Sequence, residues 1–180
     1  KKIIARIHGG RGEFFSQPVS TPPIFTDIQR RFRRFGLPRG EFQTFLAGQE
    51  HFDFALIQTG MTYWYLGVQE LVEAIRAQHP ETKIILGGVY ATICPVHARG
   101  LGANLVVEGT DLAPLWRFLR MTPDDRAMPL WDLYSSLQTG VLKLADGCPF
   151  RCTYCSVPQV YPKFHARSFD RSIAELEFLN

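Results

Sequence analysis

Between Asp53 and Arg120 the sequence alternates three times between a short apolar run and a helical segment, and this alternation limits the fold more than any other feature. "FDFALIQ" reads as a buried strand, and the glycine-flanked "TGMTYWYLG" after it as a loop. In "VQELVEAIRAQHP", Val68, Leu71, Val72 and Ile75 fall at i, i+3, i+4 and i+7, the stripe of an amphipathic helix that Pro80 stops. "TKIILGG" is a second strand, ending on a glycine pair. "PVHARGL" predicts a short helix with Pro95 in its first turn. "ANLVVEG" is a third strand. "DLAPLWRFLR" carries Leu112, Leu115, Trp116 and Leu119 at helical spacing, with Pro114 in the first turn. Strand and helix in strict alternation predict an α/β domain on a parallel sheet. Strands of such a sheet are covered on both faces, which suits the uninterrupted apolar cores "ALI", "IIL" and "LVV".

The flanking regions are less regular. "KKIIARIH" reads as an opening strand. "IFTDIQRRFRRFG" brings Ile24, Phe25, Ile28, Phe32 and Phe35 toward one helical face, with Gly36 as C-cap. "RGEFQTFLAG" reads as a second, short helix. Periodicity fades in "MTPDDRAMPLWDLYSSL", taken as an interdomain linker with Leu130, Trp131, Leu133 and Tyr134 pinned against a neighbouring surface. "GVLKLADG" is then a new strand, and "SFDRSIAELEFLN" a helix starting near Ser168 or Asp170. Ile173 and Leu176 face inward in it, and either Asp170 or Ser172, the latter with Glu175, supplies the cap. The expected organisation is a domain over 1–120, a linker over 121–138, and from 139 to 180 the start of a second domain. One strand, one loop and one helix cannot bury a core, so the sequence is expected to be a piece of a longer protein.

Bulk properties exclude little but agree. A net charge of +3 gives no ground for nucleic acid or membrane. No apolar run approaches the roughly 18 residues of a membrane span, and the N-terminus lacks the features of a signal peptide. The arginine group Arg30, Arg31, Arg33, Arg34 and Arg39 reads as a solvated helix face before it reads as a phosphate site.

Three of the four cysteines lie in "GCPFRCTYC", from Gly147 to Cys155, spaced C-x-x-x-C-x-x-C. Clustered thiols in a chain without a disulfide framework point to a metal or redox site in a reducing, cytoplasmic setting. Thiolates suit zinc or iron–sulfur clusters. Structural zinc needs four protein ligands, with His165 as the available fourth. A cubane cluster held by three thiolates instead leaves one iron open to a substrate. Cys94 stands apart and reads as a small buried side chain.

"CPFRCTYC" resembles the signature of the radical S-adenosylmethionine enzymes, C-x-x-x-C-x-aromatic-C, with Tyr154 as the aromatic and a strand before the loop. The resemblance implies a 4Fe-4S cluster on Cys148, Cys152 and Cys155, with S-adenosylmethionine on the fourth iron and Tyr154 near its adenine. It implies reductive cleavage of S-adenosylmethionine to a 5′-deoxyadenosyl radical, fed by an electron donor such as flavodoxin or ferredoxin. The second domain would be the first β/α unit of an incomplete radical barrel, unable to turn over substrate alone. "IILGGVYATICPVHA" and "GANLVVEG" resemble the Rossmann-like (flavodoxin-like) cobalamin-binding domain that precedes the barrel in one subclass. That resemblance implies cobalamin at the carboxyl ends of the strands, against Thr59, Gly60, Met61, Thr62, Gly87, Gly88, Tyr90, Ala91, Thr92, Glu108 and Gly109. It also implies chemistry such as methyl transfer. The motif D-x-H-x-x-G is missing: "RIHGGRG" keeps His8 but neither the aspartate nor the glycine, so cobalt would lack that lower ligand. No catalytic side chain is assigned, and the small-molecule substrate is unassigned. The motif is similar as well to tRNA-modifying methylthiotransferases, which carry three further cysteines in the N-terminal domain. Only Cys94 lies outside the loop here. A non-enzymatic binding module with a structural zinc site is the remaining alternative.

Overall fold

Six residues of "FALIQT" and six of "KIILGG" pair side by side as a parallel ladder, the longest pairing among the described residues. The structure, a computed structural model, describes residues 14–29, 31–124, 127–134 and 140–179. They belong to two compact units, one within residues 1–49 and the other formed by residues 50–135 with 140–180.

In the first unit, β1 (Ser16–Pro18) and β2 (Arg33–Phe35) pair antiparallel, with Ser16 opposite Phe35. Arg33 Nε donates to Ser16 Oγ at 3.1 Å, and the rings of Phe25 and Phe32 stack at 5.7 Å. Helix α1 (Arg39–Ala47) follows as expected, burying Leu46. The helix expected over Ile24–Phe35 is not formed. Pro23–Phe25 makes one 3-10 turn, Arg33–Phe35 is a strand, and Gly36 (φ 101°) turns the chain after that strand instead of capping a helix. Helical spacing of the apolar residues is overridden because the hairpin satisfies the backbone of 33–35 from a distant segment. Ile24 and Phe35 are accordingly exposed. The strand expected over residues 1–8 lies outside the described residues.

The second unit holds β3 (Phe54–Thr59), α2 (Tyr65–Gln78), β4 (Lys83–Gly88), α3 (Val89–Ile93), α4 (Pro95–Arg99), β5 (Leu105–Val106) and α5 (Ala113–Leu119). The sheet is parallel in the order β3-β4-β5, with Phe54 opposite Lys83, Thr59 opposite Gly88 and Ile85 opposite Leu105. This is an α/β, Rossmann-like arrangement. Ile84, Ile85 and Leu86 of the central strand are all buried, as a parallel strand covered on both faces requires. β3 is different. Ile57 and Thr59 are buried but Leu56 is exposed, so its apolar run is buried on one face only. β3 also has a strand neighbour on one side alone among the described residues.

Helix α2 buries Val68, Val72 and Ile75 and begins at Tyr65, ahead of the apolar stripe, after a 3-10 turn at Thr62–Trp64. The sheet edge beside it is tied by polar groups. Arg76 donates to the carbonyls of Thr82 (2.7 Å) and Gly102 (3.1 Å), and Asn104 Oδ1 accepts from Ile84 N at 2.8 Å. Buried Thr82 donates its hydroxyl to Phe52 O at 2.7 Å.

Beyond α5, Leu130, Leu133 and Tyr134 are exposed rather than pinned, and only Trp131 of that group is half-buried. The segment makes one 3-10 turn, Trp131–Leu133, whose apolar side chains have no helical face to share. The strand expected from Val141 is reduced to β6 (Ala145–Asp146), which pairs antiparallel with β7 (His165–Ala166). Between them lies α6 (Val157–Val160), and α7 (Phe169–Phe178) follows. Ser168 caps α7 by accepting from Arg171 N, so neither Asp170 nor Ser172 is the cap. Ile173 and Leu176 are exposed, whereas Ser172 and Glu175 are buried. The arginines beside this helix draw its carboxylate inward, and the apolar face turns out. No helix among the described residues is long and apolar enough to cross a membrane.

Candidate functional site

The carboxyl ends of the three parallel strands meet in a compact set of hydrogen bonds. Thr59, at the end of β3, donates its hydroxyl to Gly87 O (2.6 Å) and accepts from Ala91 N (3.1 Å). Thr92 donates to Gly88 O (2.8 Å) and accepts from Gly109 N (2.9 Å). Six of the residues expected at this edge, Thr59, Gly87, Gly88, Ala91, Thr92 and Gly109, are thus brought together by the fold itself.

The glycines divide into two kinds. Gly88 has φ 99°, and a Cβ there would sit 2.5 Å from Thr59 O. Its missing side chain lets two strand ends approach. A Cβ on Gly60 would meet the Trp64 ring at 2.9 Å, which gives that glycine a packing role. At Gly87 a Cβ would meet only Val107, at 3.9 Å, and at Gly109 nothing within 4 Å. Gly87 and Gly109, the latter at a left-handed φ of 68°, leave open space, and together with Gly88 they line a cavity of about 870 Å³. That volume lies in the usual range for small-molecule sites, roughly 300–1,000 Å³.

Of those six edge residues, Thr59 and Ala91 are fully buried, and so is Tyr90 among the remaining expected positions. The Tyr90 hydroxyl lies 2.6 Å from His97 Nδ1, and the Tyr65 ring stands edge-on to the same imidazole at 5.0 Å. Burial, with smaller contributions from Cys94 and Tyr65, raises the Tyr90 pKa and keeps the phenol neutral. Glu108 pairs with Arg99. Met61 and Thr62 are exposed on the loop after β3.

The segment around the cysteine loop lines the same cavity. Lys143, Asp146, Tyr161, Lys163 and His165 line it. Lys143 pairs with Asp146, and its ammonium lies 5.4 Å from the centre of the Tyr161 ring. Apart from His165, none of these stands out in the sequence. Their common signal is position, since they flank "GCPFRCTYC" on both sides.

The loop itself leaves β6 through Gly147, whose φ of 78° is left-handed and where a Cβ would meet Lys163 O at 2.7 Å. Glycine is needed there because the outgoing and returning limbs touch backbone to backbone. Cys148 and Cys152 are exposed, Cys155 is half-buried, and all are free thiols. Cys155 N donates to Cys152 O at 3.1 Å, closing a turn between them. Tyr154 is 90% exposed, presenting its whole ring to solvent. Among the described residues, no three His, Cys, Asp or Glu side chains are gathered as a metal site: Cys148, Cys152 and Cys155 share one loop, but neither the three thiols nor any of them with His165 form such a group. The donor chemistry nevertheless fits an iron–sulfur cluster: three unpaired, accessible thiols on one loop. Cys94 is half-buried beside α4.

No family model matches the chain, and no solved structure matches it. Curated relatives do. The chain is 32% identical over 112 residues to the ribosomal protein uS12 methylthiotransferase RimO of Desulforamulus reducens, covering 62% of this chain and 22% of that protein. It is 29% identical over 114 residues to the protein of the same name from Pelobacter propionicus, covering 62% and 23%. A shorter stretch of 38 residues is 42% identical to the Acetivibrio thermocellus protein of that name, 21% of this chain and 8% of the relative. The chain spans less than a quarter of the length of the first two relatives.

Proposed function

We propose that this chain carries the cluster-binding end of a radical S-adenosylmethionine enzyme, with Cys148, Cys152 and Cys155 as iron ligands. The observation that carries the reading is the set of three free thiols at C-x-x-x-C-x-x-C spacing on a single loop closed at its base. Similarity to the RimO methylthiotransferases supports the same coarse reading. A 4Fe-4S cluster there would supply the electron and the open iron at which S-adenosylmethionine is cleaved. The chain's own residues hold and orient. Gly147 lets the limbs of the loop close, and exposed Tyr154 would offer its ring to the adenine.

Cobalamin at the sheet edge is the finer part of the proposal. The open space at Gly87 and Gly109 supports it, while Thr59 and Thr92 hold that edge in shape. A methylthiotransferase is the second reading. The names of the relatives favour it, but the further three cysteines it implies are not in these 180 residues, where Cys94 alone lies outside the loop.

Anaerobic reconstitution with iron and sulfide tests these readings. About four irons per chain, lost in Cys152→Ala, are expected for a single cluster. Stoichiometric zinc without iron would overturn both readings. Hydroxocobalamin titration checks the finer part: binding to the wild type that Gly87→Leu abolishes supports it, and no binding removes it.

A further inference from the structure

The loop Gly147–Phe164 is long, and its limbs are joined by only two residue pairs, Ala145 with Ala166 and Asp146 with His165. Closing a long loop has an entropic cost that so short a ladder does not offset. A buried ionic knot lies beside that ladder. Arg167, the residue after β7, donates its backbone N–H to Leu144 O (2.9 Å) and Nη1 to Lys143 O (3.1 Å), both on the incoming limb. Its guanidinium also forks onto Glu175 of α7, Nη1 to Oε2 at 3.0 Å and Nη2 to Oε1 at 2.8 Å. Arg171 donates Nε to the same carboxylate at 3.2 Å and reaches Ala127 O. Glu175 is only 4% exposed.

A buried ion pair is a poor way to gain stability, because desolvation offsets much of the attraction. Its geometric effect here is specific. Without Glu175, the Arg167 fork loses its partner on α7, and a side chain that bridges incoming limb, outgoing limb and helix keeps only its bond to Lys143 O. We propose that Glu175 is a positioning residue: acting through Arg167, it holds the base of the cysteine loop so that the three thiols are set for cluster binding. This rests on the radical reading above.

The test compares the wild type with Glu175→Gln, which keeps the shape and removes the charge, and Glu175→Asp, which keeps the charge. Hydrogen–deuterium exchange is read at 143–146 and 165–167 against the sheet core 83–88. Release of iron from the anaerobically reconstituted chain to a ferrous chelator is read alongside. In Glu175→Gln, exchange at the loop base and iron release are each expected to rise on the order of tenfold, with 83–88 unchanged and Glu175→Asp in between. Equal acceleration in the sheet core would make Glu175 a general stability residue and overturn the proposal. So would an unchanged loop base, or a loosened base with unchanged iron release. If the wild type takes up no iron, the radical reading falls, and the exchange comparison still decides whether Glu175 holds the loop. Should Glu175→Gln fail to fold, Arg167→Lys, which keeps the cation but loses the fork, carries the same readings.

Discussion

The sheet and the cysteine loop are held by opposite means within one unit. Ile84, Ile85 and Leu86 sit between two parallel neighbours and are buried by apolar groups on both faces. The loop base rests on two residue pairs and a charged knot around Glu175. Apolar burial is non-directional and collective, so it makes a scaffold. A bidentate ion pair is directional, so it sets the position of a segment that has little core of its own. Each region also has one glycine at which two backbones touch, Gly88 in the sheet and Gly147 in the loop.

Substitutions that act on one region and spare the other would break or sharpen this contrast. Leu86→Ala should have the largest effect, a loss of about 4 kcal/mol in urea unfolding, because it opens a cavity in the most buried strand. Gly88→Ala should follow at about 3 kcal/mol, from a left-handed φ combined with a clash on the Thr59 backbone. Gly147→Ala should cost roughly 2 kcal/mol by the same mechanism, but in hydrogen exchange the loss should be confined to the loop base. Equal exchange changes at β4 would remove the distinction between the regions.

Acid provides a graded version. The hydrogen bond from Arg167, followed by that from Arg171 and the charges of both, holds the Glu175 pKa below its ordinary value of 4.5 despite the opposing effect of burial. A depressed carboxylate contributes stability that is fully present above the unfolded pKa and is lost as pH falls through the folded one. Protection at 165–167, taken relative to the intrinsic exchange rate at each pH, should therefore fall below about pH 4.5 in the wild type, and Glu175→Gln should remove that dependence. Ser168→Ala, which removes the α7 cap, should have the smallest effect, about 1 kcal/mol in thermal or urea unfolding.

The βα alternation from Phe54 to Leu119 was legible because burial of parallel strands and amphipathic helices writes itself into local hydrophobic period. The glycine edge was legible for a related reason, since a strand-to-helix turn needs residues of small size. Three features escaped. The β1–β2 hairpin depends on pairing between distant segments, which the spacing of Phe32 and Phe35 does not encode. The orientation of α7 was misread because Ile173 and Leu176 carry an apolar stripe, yet Glu175 is drawn inward by Arg167 from outside the helix. The roles of Gly87 and Gly88 also look alike in sequence, and only the position of Thr59 O tells them apart.

By itself, the sequence determined the α/β class and the thiol triplet, since each is written in residues close together along the chain. Tertiary structure alone decided which glycines leave space and which only pack. It alone placed Lys143, Lys163 and His165 in the lining of the same cavity as Gly87, and it alone turned a helix carboxylate into the anchor of a loop. Those properties depend on distances between backbones and charges far apart in sequence, and no local period records them.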